Sequence, residues 1–412
     1  MFYSLFFLFL LLIRSYFVPL PQIVYMVFSF KTTRRLLGNS GSLLAVRGRV
    51  LALAAFVAAC FSLQAQTLTN DQVLQQKDSA FFLSAEARRV GEQLLLYQRD
   101  TGGWPKNVNM VRPLTSEQQD SVRRQKVRLD DSTIDNKATT MQMTFLARLF
   151  QQTHDNRYRE SFRKAMAFLF SGQYDNGGWP QFWPKNHHYQ VHITYNDNAM
   201  VNVLKLLRDV MNGSEPYGNG LVDSQMRERT ATAFNKGIDC ILATQIVVNG
   251  EPAIWCQQHD AVTLQPAKAR AYELPSLCAM ESAHLVIMLM QIPTPDERIV
   301  RAVNGAMKWY DDHMITGYRL EHFWANGKQD VRIVRDDDAG PLWARFYDLE
   351  KGEPFFCDRD GKPKRRLEDI GYERRTGYAW YNDKPKELYS MYEMWAEKNR
   401  IANRVSFIHN RQ

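Results

Sequence analysis

Asp100-Thr101-Gly102-Gly103-Trp104-Pro105 and Asp175-Asn176-Gly177-Gly178-Trp179-Pro180 are two copies of one segment. Each follows a stretch with apolar residues at helical spacing and opens a loop. Each loop then reaches an Asp-Asn pair, Asp135-Asn136 or Asp197-Asn198, just before the next helical stretch. A unit of helix, GGWP loop, Asp-Asn pair and helix used twice predicts paired helices stacked in a ring or array. No third copy stands out in the sequence, which argues against a long solenoid.

Outward from this echo the helical period dominates. It predicts helices over 81–97, 139–152, 158–170, 199–210, 227–244, 275–290, 296–313 and 389–400. Strand-like alternation is confined to short runs such as Arg332–Val334. The reading is all-α with long loops. No Pro/Ser-rich linker divides the chain after residue 65, so one large domain over 66–412 is expected.

The 412 residues are 45% hydrophobic and 23% charged, which excludes a chain disordered throughout. Residues 1–65 carry six basic residues and no acid; without them 46 basic residues face 44 acidic ones, so a nucleic-acid partner is not indicated. Those 65 residues read as a leader. Val50–Ala59 is a short apolar run after Arg47 and Arg49, as in an export signal, with cleavage expected after Ala65. Val57-Ala58-Ala59-Cys60 also has the form of a lipoprotein box, which would tether the protein through a lipid on Cys60. Met26 is an alternative start. An exported monomer, freed or anchored, is the expectation. Cys240, Cys256, Cys278 and Cys357 show no metal-site spacing and are read as buried thiols.

Several residues carry candidate chemistry. Asp135-Asn136 and Asp197-Asn198 stand at helix starts, where their side chains either cap backbone N–H groups or converge on a hard cation such as calcium. Trp104 and Trp179 are either sugar-stacking platforms or core plugs, and Trp183, Tyr195, Trp255 and Trp343 share that ambiguity. In Ala267-Lys268-Ala269-Arg270-Ala271-Tyr272-Glu273 the two bases alternate with alanines, so both fall on one side of an extended segment. Arg270, beside Tyr272 and Glu273, reads as an oriented side chain. Arg345, Arg374 and Arg375 bring guanidinium groups suited to carboxylates. Arginines, aromatics and a calcium site together suit an acidic sugar polymer. No GxSxG, HExxH, P-loop or GxGxxG motif is present.

GGWPKN (Gly102–Asn107), STIDNKAT (Ser132–Thr139), NGGWPQFWP (Asn176–Pro184), HITYNDNAM (His192–Met200), QQHDAVTLQPAKARAYELPS (Gln257–Ser276) and ERRTGYAWY (Glu373–Tyr381) jointly resemble the polysaccharide lyase family 10 pectate lyases. The resemblance covers nearly all of 85–400. It implies an (α/α) toroid and calcium-dependent anti β-elimination on de-esterified homogalacturonan (polygalacturonate, pectin), giving 4,5-unsaturated products. It implies Arg270 as the Brønsted base. Asp135 and Asp197 fall at two acidic active-centre positions, with Asp197 as calcium ligand and Asp135, Asn136 and Asn198 as further candidates. An arginine of ERRTGY, Arg375 before Arg374, should hold a substrate carboxylate, with Lys268 and Arg345 as further contacts. Read from the residues alone, two other functions stay open. One is a glycoside hydrolase using Asp135 and Asp197; the other is a non-catalytic glycan-binding protein.

Overall fold

Helix signals in the sequence become eight helices of twelve or more residues in the computed structural model, which describes residues 69–218 and 220–408. They are α1 (Ala85–Tyr97), α2 (Thr140–Thr153), α3 (Asn156–Gly172), α4 (Ala199–Met211), α5 (Ser224–Ala243), α6 (Ala279–Met290), α7 (Glu297–Asp312) and α8 (Lys386–Lys398). The leader, the Cys60 tether and the Met26 start lie outside the described residues. Every expected helix has a counterpart, with shifted ends. The 81–97 helix breaks at Ser84, whose hydroxyl caps α1 by accepting from Ala87 N–H. The 275–290 helix starts later because Leu277–Cys278 is a strand paired with Phe346–Tyr347.

The helices sort into two rows. α2, α4, α6 and α8 pack in succession, and α3, α5 and α7 lie against α2, α4 and α6 in turn. Capping follows the same division. Ser84, Asp155, Asp223 and Asp296 cap α1, α3, α5 and α7 through their side chains. The starts of α2, α4, α6 and α8 have no side-chain cap. Four N-terminal ends therefore keep backbone N–H groups that no capping side chain meets.

The GGWP loops lock one helix pair to the next. Gly102 (φ +103°) and Gly177 (φ +90°) take backbone shapes that side chains disfavour. A Cβ there would come within 2.4 Å of Lys164 O or 2.0 Å of Lys236 O, so the first loop lies flush on α3 and the second on α5. The indoles of Trp104 and Trp179 are fully buried and donate to Leu94 O (2.9 Å) and Leu169 O (2.8 Å), in the last turns of α1 and α3. Each indole thus adds a donor to a carbonyl near a helix end.

A third copy exists in space. Gln98 Nε2 bonds Gly102 O and Ser161 O, Gln173 Nε2 bonds Gly177 O and Ala233 O, and Gln245 Nε2 bonds Ala253 O and Ala302 O. Trp255 then donates to Ile241 O of α5 at 2.7 Å, and Trp343 to Tyr310 O of α7 at 2.9 Å. The third loop carries an inserted strand pair, Val247–Val248 with Glu251–Pro252, which hides the spacing in the sequence.

The all-α toroid is corrected. Among the described residues six two-stranded antiparallel sheets accompany the helices, and no closed ring is shown. Five are two-residue pairs, too short to leave alternation in a sequence. The sixth is a hairpin, Tyr318–Ala325 with Lys328–Arg335, of which Arg332–Val334 was the only expected part. Asn326 (φ +51°) and Gly327 (φ +72°) form its turn, and Asn-Gly is a strong hairpin signal. Tyr272, Cys278, Phe346, Phe355, Phe356 and Trp380 belong to a second, smaller apolar cluster beside the main core. All four described cysteines are buried and unpaired. No helix among the described residues is long and apolar enough to cross a membrane.

Candidate active site

The two Asp-Asn pairs form short 3-10 turns, Asp135–Lys137 and Asn196–Asn198, that pack against each other. Asn136 (φ +50°), Asp197 (φ +51°) and Asn198 (φ +59°) are left-handed. The capping expectation is corrected here. A capping residue needs extended backbone, whereas α2 and α4 start behind Thr139 (φ +65°) and Asn198, both at positive φ. The left-handed turns leave the carboxylates free for other work.

Asp135 is buried, ion-pairs with Lys106, and accepts from its neighbour's Asn136 N–H at 2.9 Å. Asp197 differs. It opens to solvent from a recess and has no basic partner within ion-pair reach among the described residues; its one side-chain bond comes from Asn196 Nδ2 at 3.4 Å. Desolvation first, then Asp135 and Glu281, raise its carboxyl above the ordinary range, against the pull of Arg345 and Arg270. A carboxylate crowded by two others is a place where a cation restores the charged form.

Within electrostatic reach of Asp197 is a guanidinium cluster. Arg270, about 40% exposed, donates Nε to Glu273 Oε2 at 2.7 Å and Nη2 to Glu273 Oε1. Nη1 makes no hydrogen bond among the described residues. Burial pushes the Arg270 pKa down, but the bond and charge of Glu273 outweigh it and raise the net value. The guanidinium lies 5.1 Å from the Tyr272 ring centre, and that of Arg374 lies 4.4 Å from it. Tyr378, its phenol pushed up by burial, donates to Glu273 at 2.8 Å. Gln257 Nε2 reaches both Tyr378 Oη (3.4 Å) and Asn196 Oδ1 (2.6 Å). One chain of bonds thus joins Arg270 to the residue before Asp197.

Behind it, Arg345 and Glu281 form a buried ion pair. Arg345 Nη2 also reaches Asn196 Oδ1 at 3.3 Å, and Cys278 Sγ donates to Glu281 at 2.6 Å. Glu281 and Asn196 were not singled out from sequence. A lone acid in the apolar run Ala-Met-Glu-Ser-Ala-His-Leu-Val was the available signal, since an unpaired buried carboxylate is costly.

The other expected residues are distributed as follows. Trp104 and Trp179 are corrected: both are wholly buried with their N–H groups spent on helix carbonyls, so no sugar reaches them. Trp183, Tyr195, Trp255 and Trp343 are buried as well. Arg345 is buried and committed to Glu281, so it acts on the site from behind. Tyr272 is buried between two guanidinium groups, its face already covered. Arg375 is turned away: it pairs with Asp330 through Nε and Nη2 (2.8 and 2.7 Å) and donates Nη1 to Ile370 O. Arg374 is the member of that pair that joins the Tyr272 cluster. Asn136 is exposed and donates to Asn107 at 3.0 Å, and Lys268 is exposed without an ion-pair partner among the described residues.

A cavity of about 520 Å³ opens beside the turns, with Lys106, Asn107, Asn136, Lys137, Asp197 and Asn198 in its wall. The Asp135 turn touches α4 and the Asp197 turn touches α6, which gathers uncapped helix ends at the site. Such ends favour anions. No group of three or more His, Cys, Asp or Glu is placed to hold a metal among the described residues. Asp197 with the amide oxygens of Asn198 and Asn136 nonetheless offers the hard oxygen donors that calcium takes, leaving positions for water and ligand.

The family described as pectic acid lyase matches residues 98–389 of this chain. A family 10 polysaccharide lyase from Cellvibrio cellulosa is 32% identical over 77% of this chain and 95% of its own, with a TM-score of 0.65. A mutant of a family 10 polysaccharide lyase from the same organism, in complex with trigalaturonic acid, is 33% identical over 75% of this chain and 92% of its own, also with a TM-score of 0.65. No curated protein matches.

Proposed function

The chain belongs to the pectic acid lyase family and acts as a pectate lyase on polygalacturonate; from that premise we propose that Arg270 is its Brønsted base and that Asp197 holds calcium. The observation that carries this reading is the Asp197 carboxylate, without a basic partner among the described residues, within electrostatic reach of the Arg270 guanidinium, whose Nη1 makes no hydrogen bond among them.

Glu273 grips Arg270 along its Nε–Nη2 edge and so aims Nη1 outward. In neutral form that nitrogen takes the proton from C5 of a uronate. The electron pair left behind forms the C4–C5 double bond, the C4–O4 bond breaks, and the departing oxygen takes a proton from solvent. The C5 proton resists removal because the adjacent carboxylate is already negative. Lys268, exposed two residues before Arg270, would offset that charge, Arg374 is buried behind Tyr272 and paired with Glu373, and Asp197, Asn198 and Asn136 would hold the ion. Calcium bound there supplies positive charge beside the uronate carboxylate. Asp135 is held by Lys106 and shapes the turn that faces Asp197.

The test is a polygalacturonate digestion followed by ultraviolet absorbance, with and without a chelator. An unsaturated uronide absorbs; a hydrolase would release reducing ends without that absorption. The expected result is absorbance that chelator abolishes and added calcium restores. Asp197→Asn should weaken calcium binding, read directly by titration calorimetry, by about tenfold or more. Unchanged calcium affinity in that variant contradicts the assignment of Asp197. Export fits a polymer substrate that cannot enter a cell, and the leader reading of residues 1–65 supports it.

A further inference from the structure

Eight of the nine tryptophans are buried, and the ninth, Trp324, is 75% exposed. It stands one residue short of the end of its strand, beside the Asn326-Gly327 turn of the 318–335 hairpin. Scattered apolar residues on a surface need no explanation, but this indole is set apart by its mounting. The short helix Tyr372–Thr376 clamps the hairpin near Trp324. Arg375 bonds both oxygens of Asp330, which sits opposite Phe323, and Tyr372 Oη donates to Gln329 O at 3.0 Å, the residue opposite Trp324. The residue before Arg375, Arg374, lies over Tyr272, the ring that Arg270 also faces. The tip is therefore fixed to the same small helix that contributes to the guanidinium cluster.

One cation beside the indole is left for a polyanion. Arg319, Arg332 and Arg335 are paired with Glu321, Asp336 and Asp337, and Asp330 is paired with Arg375. Lys328 at the turn is exposed, has no acidic partner among the described residues, and lies 5.6 Å from the Tyr372 ring centre. An aromatic face for the C–H side of a sugar ring, with the Lys328 ammonium nearby for a carboxylate, is the chemistry that recognises a uronate.

We propose that Trp324 is a remote platform for uronate residues of the same polymer chain, beyond those at the reacting centre. The proposal rests on the pectate lyase reading. A second contact on one chain raises the local concentration of scissile bonds at the site, so its loss appears in KM for long substrates.

The experiment compares wild type, Trp324→Ala and Trp324→Phe on polygalacturonate and on trigalacturonate, by ultraviolet absorbance. Trp324→Ala should raise KM for the polymer about fivefold or more with kcat unchanged, and leave both constants for the trisaccharide unaltered. Trp324→Phe should recover most of the loss. An unchanged polymer KM overturns the proposal, as does an equal loss on both substrates. Sedimentation velocity closes the remaining route: a wild-type dimer that Trp324→Ala dissociates means that a second copy covers the indole. A wild type that makes no unsaturated product overturns the lyase reading, and this one with it. An active wild type with an indifferent variant overturns this one alone.

Discussion

Arg270→Ala should leave polygalacturonate bound and remove about two to four orders of magnitude from kcat, the range that a positioned general base contributes. The loss is expected in kcat because Lys268 and the calcium ligands remain to hold the substrate carboxylates. Arg270→Lys separates the base from the charge. A lysine keeps the positive charge but loses the planar edge that Glu273 grips, so orientation suffers. Its ordinary pKa of about 10.4 lies below that of arginine, so whatever activity survives should appear at lower pH. Steady-state kinetics with a parallel binding measurement read both effects. An alanine variant within tenfold of wild type in kcat removes Arg270 from the chemistry.

Glu281→Ala should destabilise the protein by about 3–5 kcal/mol, because it leaves a buried guanidinium without its counter-charge. Arg345 and Glu281 are both almost fully enclosed, and the Cys278 thiol would lose its acceptor too. The effect should extend to activity, since Arg345 also steadies Asn196, next to Asp197. Urea unfolding of the full chain gives the stability change. Replacing both partners with apolar residues of similar volume should recover much of the stability but not the activity, because the pair's desolvation is then no longer required. A loss below about 1 kcal/mol on Glu281→Ala would mean that water reaches Arg345 and that the pair is not a buried one.

The sequence echo was legible because Gly102 and Gly177 answer to sterics that only glycine meets, and a tryptophan must follow at fixed spacing to reach the helix carbonyl. The third unit was not, since an inserted strand pair stretches the distance from Gln245 to Trp255. Residue type told little about orientation. Trp104 and Trp179 fit a sugar platform by chemistry but are plugs by position. The Asp-Asn pairs fit helix capping by position but are excluded from it by their left-handed backbone. Arg374 and Arg375 are adjacent in sequence, and on one short helix they face opposite tasks, one toward Tyr272 and one toward the hairpin. Glu273 was visible as a neighbour of Arg270, whereas its grip on the guanidinium follows from the turn in which Glu273 N–H bonds Arg270 O. The echo pointed to a ring or array and the resemblance to a toroid, and the two-residue strand pairs leave too little pattern for any periodicity to reveal.

That grip sets the sharpest requirement on the mechanism. The carboxylate of Glu273 raises the Arg270 pKa, so the resting guanidinium is protonated and cannot accept a proton. Only the neutral fraction reacts. That fraction grows about tenfold per pH unit for as long as pH stays below the effective pKa. The decisive measurement is therefore kcat on polygalacturonate against pH, with calcium saturating at every point. The account predicts a rate that climbs through the alkaline range with a slope near one on logarithmic axes, and a profile displaced to lower pH in Glu273→Gln. Full activity at acidic pH, flat through neutrality, would contradict Arg270 as the base.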